Sequence, residues 1–311
     1  MKTTPSISRF PKSLNRRRFS VRKIFVALFL VVILFILCAF IGLRWFEFYV
    51  TFHPQRFDSK QNWVLPKNAK EIWFSNKDNL RLHGWFITSA SPPASGTVIY
   101  FHGNGGNISN IGWLGETLSS NGLNVLLFDY RGYGHSEGDI SNEDDLYADA
   151  DAAYDYVQSV KGELPNRIIL YGQSLGTAAA TDLASRRECG VLIVESGLSS
   201  ADDMTAALLP SLPRFMYWIA RNRFENEKKI GMIHCPVLLT HGDPDDRIPT
   251  GQGQKLYAAA NEPKMLWLIP GAGHNVFGFG GKQYIEQVAD FIQTALSSRK
   301  GHSESQLLGD N

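Results

Sequence analysis

Residues 167–180 read RIILYGQSLGTAAA, in which an apolar run leads directly into GQSLG and then into small, helix-favouring residues. The apolar run predicts a buried strand, and the alanines after it predict a helix. A G-x-S-x-G sequence between a strand and a helix is typical of a nucleophile elbow, a sharp turn that lifts the serine hydroxyl above the sheet edge. Ser174 is therefore the candidate nucleophile.

A serine nucleophile needs a base, and the base needs a group that orients it. His274 lies in residues 270–275 (PGAGHN), directly after the last predicted strand, where small neighbours would let an imidazole approach the elbow. Residues 241–249 (HGDPDDRIP) follow an earlier strand and contain the aspartates Asp243, Asp245 and Asp246. His274 is the candidate base, and spacing alone does not choose among the three candidate acids.

A glycine-rich segment, FHGNGGN at residues 101–107, follows the first parallel strand. Glycines let such a loop fold close to the elbow, so we predict an oxyanion hole from the backbone N–H groups of Asn104 and Leu175. A phosphate-binding loop is disfavoured, because G-K-[ST] is absent and no G-x-G-x-x-G opens the helix. His102 is interpreted as a support for this loop.

Short apolar runs alternate with helical patterns from residue 97 onward. The predicted strands are 71–75, 80–88, 97–101, 125–130, 167–171, 191–195, 236–240 and 265–269. The predicted helices are 108–120, 142–160, 177–186, 251–260 and 282–297. This alternation indicates a mainly parallel sheet covered by helices on both faces, and the order Ser, Asp, His is that of the α/β-hydrolase fold. Residues 196–233 are interpreted as a small aromatic cap inserted over the site.

Residues 24–43 contain no formally charged side chain. As a helix they would rise about 30 Å, enough to cross the hydrocarbon core of a bilayer. A cleaved signal peptide is the alternative, but the run is longer than a usual signal core and no clear cleavage site follows it. We predict a single transmembrane anchor here, in contact with membrane lipid.

Residues 1–23 carry eight Lys and Arg and no acid. Basic segments stay in the cytoplasm, so we expect a cytoplasmic N-terminus and a catalytic domain on the exported side. The same segment weakly matches a twin-arginine signal and overlaps in composition with organellar transit peptides, which leaves the identity of the membrane open. In the rest of the chain 23 basic residues face 30 acidic ones, so nothing favours nucleic-acid binding.

The remaining segments are expected to be an irregular aromatic tether at 44–68, the hydrolase domain at 69–297 and a disordered tail at 298–311. Cys189 and Cys235 each lie just before a predicted strand. A disulfide between them could form in an oxidising compartment, but two buried, reduced thiols are the favoured interpretation.

Three segments together resemble the membrane-associated α/β-hydrolase-domain serine hydrolases, a family that includes eukaryotic protein depalmitoylases and microbial relatives. They are HGN at 102–104, DYRGYGHS at 129–136 and the elbow. The resemblance covers about residues 70–297. The family pattern H-G-x-x-D-x-x-[VI]-P maps onto residues 241–249, and this implies Asp245 as the acid of a triad with Ser174 and His274. The eukaryotic depalmitoylases are held by a palmitoylated, cysteine-rich N-terminus, whereas this chain has an apolar helix.

The expected activity is therefore hydrolysis of carboxylic esters or thioesters of an acylated substrate through an acyl-enzyme. No metal or organic cofactor is expected. The alternatives are an acyltransferase or peptidase that uses the same triad, and a non-catalytic, membrane-tethered binding protein.

Overall fold

The computed structural model describes residues 21–60 and 63–309. The chain divides into two units between Phe46 and Glu47. The second unit contains the sheet and both apolar cores.

The first described element is α1, the helix Val21–Thr51. It is long and apolar enough to cross a membrane, a property that it shares with signal sequences. The helix continues past residue 43, so the prediction of an irregular tether from residue 44 is wrong for residues 44–51. No proline or glycine interrupts that stretch, and the helix ends just before His53-Pro54, where proline disfavours helical backbone in the preceding residue.

Eight strands form one sheet within the described residues. They are β1 (Ala69–Ser75), β2 (Arg81–Ile87), β3 (Thr97–Phe101), β4 (Asn124–Phe128), β5 (Ile168–Gln173), β6 (Val191–Glu195), β7 (Val237–Gly242) and β8 (Lys264–Ile269). The spatial order is β1-β2-β4-β3-β5-β6-β7-β8. Strand β2 pairs antiparallel with β1 and β4, and every other pairing is parallel. The carboxyl ends of β3 to β8 therefore meet at one edge.

Helices cover both faces of the sheet. They are α2 (Gly112–Ser120), α3 (Glu143–Asp155), α4 (Gly176–Arg186), α5 (Ala201–Leu208), α6 (Asn226–Ile230), α7 (Thr250–Ala259) and α8 (Val276–Gly309). Alternate side chains of β3 enter two separate cores, Ile99 beside α3 and α4 and Val98 beside α2 and α8. Burial on both faces explains why the strands read as continuous apolar runs.

The connection from β6 to β7 contains α5, a 3-10 turn at Arg214–Ile219 and α6. After β8, α8 bends at Gly281, whose φ of 57° is not helical. After this bend the backbone stays helical to Gly309. The composition-based prediction of a disordered tail from residue 298 is therefore wrong for the backbone of residues 298–309. No proline occurs in that segment, so backbone hydrogen bonding continues.

Candidate active site

The elbow lies between the end of β5 at Gln173 and the start of α4 at Gly176. Ser174 has a φ of 53°, a left-handed conformation that non-glycine residues seldom adopt. A Cβ on Gly172 would lie 2.5 Å from the carbonyl oxygen of Gly176, and a Cβ on Gly176 would overlap the carbonyl oxygen of Phe101. Both flanking positions therefore require glycine, as the G-x-S-x-G pattern predicts.

The structure brings Ser174, His274 and Asp245 into one hydrogen-bonded chain. Nδ1 of His274 lies 2.9 Å from Oδ2 and 3.1 Å from Oδ1 of Asp245. A carboxylate can only accept, so Nδ1 carries the proton and donates it to Asp245. Nε2 of His274 is then free to accept from the Ser174 hydroxyl, whose Oγ lies 2.9 Å away. This is the geometry in which an imidazole can remove the hydroxyl proton.

Of the three candidate aspartates, only Asp245 contacts His274. It is buried, whereas Asp243 and Asp246 are exposed. Asp243 instead accepts a hydrogen bond from the backbone N–H of Gly271 at 2.8 Å, which ties together the two loops that carry the acid and the histidine.

Asp245 is held in its ionised form. Burial alone would raise the pKa of its carboxyl, but hydrogen bonds from His241, His274 and the backbone N–H of Ile248 outweigh burial and hold the pKa well below its usual range. The N–H of His241 Nε2 donates to the carbonyl oxygen of Ile248 at 2.9 Å and lies 3.2 Å from Oδ2 of Asp245. The first residue of the H-G-x-x-D pattern thus positions its aspartate.

Both predicted oxyanion residues lie beside the elbow. Leu175 directly precedes the first turn of α4, where the helix dipole favours negative charge. Asn104 lies in the glycine-rich loop, and a Cβ on the preceding Gly103 would be 3.5 Å from Cβ of Ser174. The carbonyl oxygen of Asn104 accepts hydrogen bonds from the N–H of His53 at 3.1 Å and the hydroxyl of Tyr133 at 3.0 Å, which fix this loop.

His102 is a buried residue behind that loop. Its Nδ1 lies 2.8 Å from the carbonyl oxygen of Gly103, and burial lowers its pKa to about 4, with this hydrogen bond opposing the shift. Its Nε2 faces Asp129 at 3.7 Å, and burial raises the pKa of that carboxyl to about 8. Both groups are thus held in their neutral forms, in accord with a supporting role for His102.

Two further residues brace the site, and motif analysis misses them. Glu195, at the end of β6, accepts a hydrogen bond from the Ser174 N–H through its backbone and one from the Phe277 N–H through its side chain. The Ser196 hydroxyl donates to the carbonyl oxygen of His274 at 2.9 Å. The only available signal was a carboxylate closing the apolar strand VLIVE at 191–195.

A cleft of about 470 Å³ opens beside the elbow. Its lining includes Gly103, Asn107, Gln173, Asn275 and Phe277. It combines side-chain amides with aromatic surface, which suits a substrate with both a polar and an apolar part. No group of His, Cys, Asp and Glu able to hold a metal ion occurs in the described part of the chain.

The fold and this site define an α/β-hydrolase, and comparison with known proteins agrees. Residues 92–226 match the family model described as serine aminopeptidase, S33. The uncharacterized protein YfhR of Salmonella typhi is 32% identical over 92% of this chain and 100% of its own length. Alpha/beta hydrolase domain-containing protein 17B of Xenopus tropicalis is 32% identical over 84% of this chain and 86% of its own. The chain belongs to this α/β-hydrolase family, as its motifs predict.

Solved structures share the fold. The Pyrococcus furiosus esterase Pf2001 superposes with a TM-score of 0.65 and 23% identity, over 79% of this chain and 98% of that one. The predicted α/β-hydrolase fold is thereby confirmed.

Proposed function

We propose that the protein is a membrane-anchored serine hydrolase that cleaves carboxylic ester or thioester bonds through an acyl-enzyme on Ser174. The observation that carries the proposal is the continuous hydrogen-bonded chain from Ser174 through His274 to Asp245. Membership of a hydrolase family, and a fold shared with proteins described as esterases, support the same reaction class.

The reaction follows from the geometry. Nε2 of His274 removes the hydroxyl proton while Oγ of Ser174 attacks the acyl carbonyl carbon, and Asp245 stabilises the imidazolium that forms. The N–H groups of Leu175 and Asn104 donate to the resulting oxyanion. The imidazolium then protonates the departing alcohol or thiol, which leaves an acyl-enzyme. A water molecule, deprotonated by His274, then attacks the acyl carbonyl carbon of the acyl-enzyme. The imidazolium returns that proton to Oγ of Ser174 as the bond to the serine breaks, which releases the carboxylic acid and restores the enzyme.

The anchor is the second part of the proposal. The uncharged run at 24–43 lies within α1, and the eight bases that precede it favour a cytoplasmic N-terminus and an exported catalytic domain. Intact mass of the protein isolated from membranes distinguishes this anchor from a cleaved signal peptide. Loss of residues 1–43 from the mature chain contradicts the anchor.

Fluorophosphonate labelling of the full chain in detergent tests the nucleophile. We expect labelling of the wild type and of Ser120→Ala, which alters an exposed serine, and none of Ser174→Ala. A series of esters and thioesters then defines the acyl preference. If the folded wild type is not labelled, the non-catalytic binding protein becomes the better description.

Peptide hydrolysis is the second candidate, because the matching family model is described as an aminopeptidase. An aminopeptidase needs an anion to bind the free amino terminus of its substrate. Among the described residues that line the cleft there is no Asp or Glu, which favours the ester. Release of an amine from aminoacyl anilides at rates that match ester turnover would reverse this preference.

A further inference from the structure

We infer that the insertion between β6 and β7 binds the surface of the bilayer through an apolar cap face, defined as Leu208, Leu209, Phe215 and Trp218. The inference rests on the membrane anchor of the proposed function and adds a second, peripheral contact with the same bilayer. It places the entrance of the active site at the lipid surface, so that the acyl group of the substrate comes from the bilayer.

The apolar cap face is exposed to an extent that is unusual for such side chains. Trp218 and Phe215 are 76% and 75% exposed, and Leu208 and Leu209 are 57% and 41% exposed. Large aromatic side chains are normally buried, and clustered exposure of this kind marks an interaction surface. The face therefore requires an apolar partner.

The backbone beneath the face is fixed. Phe215 and Trp218 lie three residues apart on the 3-10 turn Arg214–Ile219, a spacing that places their side chains on one side of the turn. Tyr217, between them, is buried, and its carbonyl oxygen accepts a hydrogen bond from Arg223 at 3.0 Å. The aromatic pair is thus presented outward by an anchored turn.

The chain that leaves the predicted span binds this insertion directly. Oε1 of Glu47 accepts hydrogen bonds from the N–H groups of Arg221 and Asn222, both at 2.8 Å, and from the Asn222 side chain at 3.0 Å. Glu47 is four residues beyond Leu43, the last residue of the uncharged run. Even fully extended, four residues span only about 14 Å. The insertion is therefore tethered close to the membrane surface.

The next residues bind the loop beside Ser174. His53 donates its backbone N–H to the carbonyl oxygen of Asn104, and the carbonyl oxygen of Gln55 accepts a hydrogen bond from the side chain of Asn107 at 3.3 Å. Residues 47–55 thus contact both the insertion and the candidate oxyanion loop. The first residues of the catalytic unit therefore lie beside the entrance of the site.

The charges beside the face suit a lipid surface. Arg214 is the first residue of the turn that carries Phe215 and Trp218, Arg221 lies two residues after its end, and both arginines are exposed. Tryptophan and phenylalanine flanked by arginine are typical of segments that lie in the headgroup region, where the arginines bind lipid phosphates. In a dimer formed through this face, the arginines of one copy would lie near those of the other, and repulsion between like charges would be unfavourable.

Nitroxide depth measurement on the full chain tests the inference. Trp218→Cys and Met232→Cys are made in a background in which the three native cysteines are replaced by alanine. Met232 is also exposed, at 59%, but lies before β7, at the opposite end of the strands. Each labelled protein is reconstituted into phosphatidylcholine vesicles that contain phosphatidylglycerol as the minor lipid. We expect the label at 218 to collide with oxygen in preference to a water-soluble nickel chelate, and the label at 232 to show the reverse.

Two results overturn the inference. If the nickel chelate reaches the label at position 218 as readily as the label at position 232, the apolar cap face lies in water. A label shielded from both reagents means that protein covers the face, as in a dimer of this chain.

Turnover separates this inference from the proposed function. The double variant Phe215→Ser, Trp218→Ser is expected to hydrolyse a soluble short-chain ester at the wild-type rate and a vesicle-borne long-chain ester at least about fivefold more slowly. Met232→Ser serves as the control. Equal rates on vesicles refute a role in substrate entry. A wild type that cleaves neither ester, with the label at 218 in the bilayer, refutes the proposed hydrolase and leaves the membrane contact intact.

Discussion

The carbonyl oxygen of Glu195 accepts a hydrogen bond from the N–H of Ser174 at 2.9 Å, so the end of β6 holds the elbow. The Glu195 side chain accepts from the N–H of Phe277 at 3.1 Å, and from the hydroxyls of Tyr171 at 2.5 Å and Tyr284 at 3.1 Å. Burial raises the pKa of this carboxyl, although the hydrogen bonds from Tyr171 and Phe277 oppose the shift. One buried residue thus connects the elbow with the chain that follows His274.

Replacement of Glu195 by alanine is expected to lower the free energy of unfolding by about 2–4 kcal/mol, because it leaves buried donors without acceptors. Glu195→Gln should lose less, since its amide oxygen can accept and the tyrosine hydroxyls can accept from its NH₂ group. Denaturant unfolding and the rate of fluorophosphonate labelling measure both variants. Equal stability of Glu195→Ala and the wild type contradicts the bracing role.

Gly176→Ala should abolish labelling of Ser174. The added Cβ would overlap the backbone of Phe101, and backbone cannot move aside without distorting β3. We expect a loss of more than about 2 kcal/mol in unfolding free energy. Gly251→Ala is the matched control, because a Cβ at Gly251 meets nothing within 4 Å. A normally labelled Gly176→Ala protein would show that the elbow tolerates a side chain there.

Asp245→Asn is expected to reduce kcat by about 10³–10⁴-fold, since the amide no longer stabilises the imidazolium of His274. The exposed neighbour Asp246→Asn should retain full activity. Because the pKa of Asp245 lies well below its usual range, Asp245 should add no proton of its own to the acid limb of kcat/KM in the wild type. A slope of two on that limb, or equal losses in both variants, contradicts the assignment.

The His102 and Asp129 pair predicts how stability depends on pH. In the folded protein, Asp129 keeps its proton up to its pKa of about 8, and His102 is neutral above its pKa of about 4. In the unfolded chain, Asp129 is ionised and the histidine is neutral above the ordinary histidine pKa of 6.5. The folded state binds more protons in this window, so its stability falls as pH rises from 6.5 to 8, by about 2 kcal/mol.

Asp129→Asn should remove that dependence, because asparagine can still accept the hydrogen bond from the Ile108 N–H without titrating. The exposed Asp139→Asn serves as the control. Unfolding free energies measured at pH 6.5 and pH 8 decide the matter. If the unfolding free energy of Asp129→Asn still falls between pH 6.5 and pH 8 by as much as that of the wild type, other groups cause the pH dependence.

Cys189 and Cys235 report on the compartment of the catalytic domain. Their Sγ atoms lie 2.9 Å apart and are buried just before the adjacent strands β6 and β7. Formation of a disulfide needs an approach of about 0.9 Å. This proximity, which the sequence does not show, replaces the expectation of a reduced pair: if the domain is exported, the protein isolated without reductant should be lighter by two hydrogens in a Cys38→Ser background. A reduced pair in protein from an oxidising compartment contradicts this prediction.

Much of the fold was accessible from the sequence because its signals are local. The strand, turn and helix around Ser174 are neighbours in the chain, and the flanking glycines directly indicate a turn too tight for side chains at those two positions. The C-terminal end of α1 differs from the prediction for a related reason. The charged and aromatic residues after position 43 mark the end of the apolar run, but the helix continues to Thr51, shortly before Pro54.

By itself, the sequence determined the strand order along the chain, the nucleophile and histidine candidates and the apolar helix, since each depends on a short pattern of residue types. Spacing leaves three aspartates in one loop and the family pattern implies Asp245, but the contact with His274 and the burial of Asp245 are set by the tertiary structure. It also decided the roles of Glu195 and Glu47, whose partners lie far away in the chain. Contacts of that kind form only when the sheet aligns distant strand ends, and no local pattern of residues records them.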